Sequence, residues 1–164
     1  MHEDDLNTLL AGGPVTCLHV TDDRIALEIV DGTAGAITLE IGSLQDILGH
    51  LRHEPATAAG IEVAIAEIED ALMPAMRALP ARRCLVTSAA GAQEIAKVAG
   101  LEGPAPIRLP IETVEMLFNR LADMAHGMPA ARLGMPPERL FAANLLLLRE
   151  LLHHGGFDAA MIVS

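Results

Sequence analysis

The sequence predicts an α/β domain on a mixed sheet, with three antiparallel strands first, helix-linked strands after them, and helices flanking the sheet. Two observations carry that expectation. Val15–Thr21, Ile25–Asp31 and Ala36–Ile41 are β-branched and aliphatic runs, separated by the turn pairs Asp22-Asp23 and Asp31-Gly32, which is the pattern of hairpins. Beyond them the apolar spacing changes to that of helices, interrupted by two short strand-like runs, Arg83–Thr87 and Ala159–Val163. A chain of 164 residues has the ordinary size of one domain and can bury a core without metal or disulfide. Residues 1–164 therefore read as a single domain, with 1–13 a candidate flexible N-terminal segment.

The elements follow in order. Ser43 stands three residues before Asp46, close to a capping box, and opens a short helix through Leu44, Ile47, Leu48 and Leu51. After a loop holding Pro55, Ile61, Ile65, Ile68 and Leu72 fall at helical spacing, with Glu62, Glu69 and Asp70 on a wet face; Pro74 is expected to kink or restart that helix. Arg83–Thr87 is a strand and Ala89–Val98 a helix, while the Pro- and Gly-rich stretch Gly100–Pro110 reads as a connection. Pro110 suits a first helical position, and Ile111, Val114, Phe118 and Leu121 form a buried stripe up to Met124. Pro136-Pro137 starts another helix, apolar nearly all round at Leu145–Leu148 and therefore central, which Gly155-Gly156 ends before a last strand at Ala159–Val163. Hairpin-linked strands followed by helix-linked, parallel ones make a ribonuclease H-like mixed sheet, because parallel neighbours need crossover helices.

Composition narrows the function. With 22 acidic against 11 basic residues the formal charge is -11, so the summed field repels polyanions and free nucleic acid is excluded as a partner. Aromatics make up 2% of the chain, which removes base stacking. No apolar run approaches the roughly 20 residues of a membrane helix, and the opening Met1-His2-Glu3-Asp4-Asp5 is opposite in sign to a secretory or transit peptide, which leaves the cytoplasm. Cys17 and Cys84 lie inside apolar runs and read as small buried thiols.

From Cys17 to Gly32 the residues CLHVTDDRIALEIVDG lie without a gap on the pattern V-L-D-I-G-G-G-S-T-E-L-V-V-V-D-G, and this resembles the exopolyphosphatase and guanosine pentaphosphate phosphatase family of the sugar kinase, actin and Hsp70 superfamily. The likeness continues in order. Leu39 to Gln45 sits on L-P-x-G-x-V-R, Leu85 to Ala96 (LVTSAAGAQEIA) on L-V-G-T-G-G-T-A-T-T-L-A, Gly134 to Arg139 on G-L-P-P-E-R, and Gly156 to Ser164 on G-F-E-R-L-T-V-S. Nearly the whole chain is covered, and the resemblance implies the second of the two core domains of such enzymes.

The departures bear on function more than the matches do. Consecutive glycines in the family's first loop let backbone N–H groups cradle phosphate, and here they are Thr21, Asp22 and Asp23. The family's metal-linked Asp is His19, the Ser after the glycines is Arg24, and Gln45 replaces a phosphate-binding Arg. In the second loop G-T-G-G-T becomes Thr87-Ser88-Ala89-Ala90-Gly91. Thr21, Asp22, Asp23, Arg24, Thr87, Ser88 and Gly91 are thus the expected vestige of a phosphate site, and His19 and Asp22 the weak candidates for metal. The family's first domain, which would bring the catalytic Glu, is not part of this sequence.

Other clusters have plain readings beside sharper ones. His50 and His53, with Glu54 adjacent, could share a helix face as ligands, but histidines near a helix C-terminus also suit its partial negative charge, as do His153 and His154. Met116, Met124, Met128 and Met135 could mark an adaptable surface, or fill the core. Three functional expectations follow from the resemblance: a phosphatase-like domain without catalysis that associates with itself or another protein; half of a magnesium-dependent hydrolase of polyphosphate or guanosine pentaphosphate completed by a first domain in trans; or a weak nucleotide or phosphate sensor using Ser88, Gly91 and Arg24.

Overall fold

A computed structural model describes residues 13–30, 36–80 and 84–163. Residues 1–12, the expected turn at Asp31-Gly32, Arg83 and Ser164 lie outside them. The strands are β1 (Val15–Val20), β2 (Ile25–Val30), β3 (Ala36–Gly42), β4 (Cys84–Thr87), β5 (Ile107–Pro110) and β6 (Ala159–Ile162). The helices are α1 (Leu44–His50), α2 (Ala58–Met76), α3 (Ala90–Val98), α4 (Ile111–Ala125), α5 (Ala130–Leu133) and α6 (Arg139–Gly155). The sheet order is β3-β2-β1-β4-β6-β5. β1, β2 and β3 pair antiparallel as hairpin neighbours, whereas β1 with β4 and β4 with β6 are parallel across helical crossovers. The α/β class and the mixed sheet with flanking helices are as the sequence predicts.

Three local expectations are corrected. Gly100–Pro110 is not only a connection: its end, Ile107–Pro110, is β5, antiparallel to β6 at the sheet edge. A four-residue strand closed by Pro110 has no alternation long enough to stand out, and proline is tolerated at an edge because no ladder hydrogen bond is lost there. Pro74 does not restart α2: the helix runs through it to Met76. Pro110 is the N-cap of α4 rather than its first helical residue.

The capping box of α1 forms as expected. Ser43 Oγ accepts from Asp46 N at 3.3 Å and Asp46 Oδ2 accepts from Ser43 N at 3.1 Å, so a seven-residue helix has both orphan donors satisfied. Gly156 (φ 65°) takes the left-handed position after α6, and Phe157 N then donates to Leu152 O, turning the chain into β6.

The core is organised by α6. Phe141, Ala142, Ala143, Leu145–Leu148, Leu151 and Leu152 are all buried, and α1, α2, α3 and α4 pack against this helix. Alternate strand residues, among them Leu18, Leu27, Leu85, Leu109 and Ile162, meet the helices from the sheet. The opposite sheet face gathers Val15, Cys17 and Val86, with Val163 just beyond β6, in a separate cluster. Met124 and Met135 are buried in the core, as the core-filling reading expects, while Met116 and Met128 reach the surface. No helix among the described residues is long and apolar enough to cross a membrane.

Two substitutions test this packing. Leu151→Ala, at a fully buried site, is expected to cost about 2–5 kcal/mol in urea denaturation. Thr16 is completely buried and its hydroxyl has no hydrogen-bond partner among the described residues, so Thr16→Val is expected to raise stability, by on the order of 1 kcal/mol.

Candidate functional site

β1 and β4 are parallel neighbours, with Leu18 opposite Thr87, so the loops that follow them leave the sheet at the same end. A cavity of about 190 Å³ lies there, lined by Cys17, Leu18, His19, Val86, Thr87, Ser88 and Val163. The fold therefore brings His19, Thr87 and Ser88 together from stretches that are far apart in sequence. Thr21–Arg24 continue from β1 as the exposed hairpin loop to β2, and Gly91 lies inside α3 rather than in the second loop.

The first loop is closed on itself. Thr21 N donates to Arg24 O at 2.8 Å, and Thr21 Oγ1 donates to Asp23 Oδ1 at 2.9 Å. No non-glycine residue among the described ones has positive φ, so Thr21, Asp22, Asp23 and Arg24 lack the left-handed turn by which successive N–H groups form an anion nest. Arg24 is turned to β3, where its Nε donates to Glu40 Oε2 at 2.9 Å and the guanidinium pairs with the other carboxylate oxygen. The hydrogen bond and charge of Glu40 raise the Arg24 pKa further, and Arg24 in turn lowers that of Glu40.

The second loop is equally committed. Thr87 is buried; its hydroxyl donates to Leu18 O at 2.9 Å and accepts from Ala89 N at 3.1 Å, tying β4 to β1. Ser88 O accepts from Gln93 Nε2 at 3.1 Å. Gly91 faces α6, where a Cβ would overlap the side chain of Asn144, itself held by donating to Leu140 O. Its small size lets α3 approach α6.

The metal candidates do not converge. His19 is exposed and its Nε2 meets Glu28 Oε2 at 3.0 Å, across the hairpin. His50 pairs with Glu67 at 3.8 Å rather than with His53, and Glu54 accepts from Arg139 N, satisfying a donor at the start of α6. Cys17 is a buried thiol with its pKa raised to about 11 by burial and then by the nearby Glu28 and Cys84; burial also raises Cys84, which is half-buried.

An ionic cluster elsewhere escaped the sequence reading. Arg149 sits over the Phe118 ring, 4.0 Å from its centroid, and bonds Glu115 and Glu150. Burial works against its charge, but the two carboxylates outweigh that and raise its pKa. His154 meets Glu69 of α2 and Glu150, so it is a link between helices and not merely a solvated residue at a helix end. The available signal was charge inside a helix predicted to be central: Arg149 and Glu150 directly follow Leu145–Leu148, and His154 stands one turn beyond Glu150.

By sequence, no family model matches the chain and no curated protein matches it. Solved structures do. The PPX-GPPA enzyme of Aquifex aeolicus superposes with a TM-score of 0.71 at 13% identity, covering 96% of this chain and 55% of that one. An exopolyphosphatase from Cytophaga hutchinsonii gives 0.66 at 14%, covering 93% and 54%. A structure described as an exopolyphosphatase-like protein gives 0.64 at 18%, covering 99% and 56%. The chain has the Ppx/GppA fold. It spans little more than half the length of these neighbours, consistent with the expected second domain alone.

Two predictions follow. Gly91→Ala is expected to destabilise despite alanine's better helix propensity, and Asn144→Ala in the same chain to recover most of the loss, as a double-mutant cycle by chemical denaturation would read. At pH 8, Cys17 is expected to resist iodoacetamide in the native chain and to react in urea, followed by mass spectrometry.

Proposed function

We propose that this chain is an exopolyphosphatase-like domain without phosphoryl chemistry of its own, acting by association with a second copy or another protein. The observation that carries the reading is the Thr21–Arg24 loop. Where the resemblance expects a glycine nest for phosphate, the loop presents two exposed carboxylates, has no left-handed residue, and gives its one cation to Glu40. A phosphate there would meet negative charge, in a protein whose net charge already opposes it.

The other readings have less behind them. Sensing through Ser88, Gly91 and Arg24 would need three groups acting together, yet Gly91 is packed on Asn144 and Arg24 is engaged by Glu40. Completion by a first domain in trans would use the cavity beside His19, Thr87 and Ser88, whose lining among the described residues includes no Lys or Arg to hold a polyphosphate.

The test is direct. Incubated with polyphosphate and magnesium, the chain is expected to release no phosphate, and calorimetry with guanosine tetraphosphate to give no heat. Phosphate release that scales with chain concentration and stops with EDTA would sink the reading. Light scattering after gel filtration would then distinguish a self-assembled mass from a 17.3 kDa monomer, which directs the search to another protein.

A further inference from the structure

Helix α6 places Glu150 and His154 one turn apart on the same face, and α2 lays Glu69 against them. His154 Nε2 is 3.1 Å from Glu69 Oε1 and 3.3 Å from Glu150 Oε2. The three ligand atoms all lie within 4.8 Å of one another, a convergence that no other group of His, Cys, Asp and Glu among the described residues makes. We propose that Glu69, Glu150 and His154 bind one divalent transition-metal ion of the zinc class.

The spacing fits that ion. Tetrahedral ligands at bonds of about 2.0–2.1 Å stand about 3.3–3.4 Å apart, close to the two separations found here. The donor set selects the class, because an imidazole nitrogen with carboxylates suits zinc or its neighbours, whereas magnesium and calcium take oxygen.

The surroundings are built for a fixed ligand. Glu150 is 1% exposed, and Arg149 holds its other oxygen, Oε1, which orients the carboxylate as outer-shell partners of metal ligands do. Arg149 is in turn held by Glu115 and the Phe118 ring, so the positioning extends to α4. Glu69 and His154 are partly exposed, which leaves the ion an entry path and a fourth position for water. None of these residues lies in the Thr21–Arg24 or Thr87–Ser88 loops, so the site stands independently of the proposed function. An ion there would clamp α2 to α6.

The full chain, stripped with EDTA and dialysed, would be titrated with zinc chloride at pH 7.5 by calorimetry, with magnesium chloride in parallel. One saturable equivalent of zinc is expected, with a raised thermal midpoint and no comparable response to magnesium. Glu69→Gln, which keeps the shape of a partly exposed side chain, and His154→Gln are each expected to weaken zinc binding about tenfold or more. Circular dichroism would verify that both variants fold. The His154 ring resonances are expected to shift on adding zinc. Absence of zinc uptake, equal uptake by the parent chain and both folded variants, or His154 ring resonances that do not respond to zinc would overturn the proposal.

Discussion

A helix that is apolar around most of its circumference has no face to offer water, so it is stable only when surrounded. α6 is such a helix, and its burial sets the positions of the other elements: the sheet lies along one side, and α1, α2, α3 and α4 take the rest. A seven-residue helix such as α1 would not persist alone, because nucleation is costly and few hydrogen bonds repay it. It persists by its capping box and by burying Leu44 and Ile47 in the same core. The dependence is mutual, since Glu54, in the loop after α1, satisfies a donor at the start of α6.

The same constraint explains which glycines matter. Close approach to α6 demands a residue without Cβ wherever a bulky partner already occupies the contact, and Gly91 meets Asn144 there. A glycine that sequence comparison would assign to a phosphate loop is therefore explained by helix packing. Similarly, the Thr87 hydroxyl, which could have faced a ligand, is spent joining β4 to β1. Both residues sit where the resemblance places them in the chain, but their atoms are directed into the protein. Fold likeness at 12–18% identity carries no more than the scaffold, and function must be argued from where the donors point.

Most of the scaffold was legible in the sequence because it rests on local pattern. β-Branched and aliphatic runs bounded by turn residues announced β1 and β2, alternation announced β3, and the four consecutive leucines of α6 announced a central helix. β5 was not legible, since Ile107-Arg108-Leu109-Pro110 becomes a strand only by pairing with Ala159–Ile162, roughly fifty residues on. The candidate site divides in the same way. The loss of glycines at Thr21–Asp23 is visible in the residues themselves, whereas the capture of Arg24 by Glu40 depends on the register of β2 with β3. The cluster of Glu69, Glu115, Arg149, Glu150 and His154 joins three helices, and the charges within α6 alone do not reveal its partners Glu69 and Glu115.

That cluster also shows how a buried core tolerates charge. Glu150 is almost fully enclosed, and an isolated carboxylate there would be neutralised or would unfold its surroundings. It remains compatible with the fold because Arg149 engages one oxygen and His154 faces the other, while Glu115 and Phe118 hold Arg149 in place. Removing any single partner would leave another charge exposed to the apolar interior, so the residues act as a unit rather than as separate pairs. The helix that organises the core thus carries at its C-terminal end the polar group most sensitive to its surroundings. A cation admitted at His154 would act directly on the contact between α2 and α6, on which the helical layer depends.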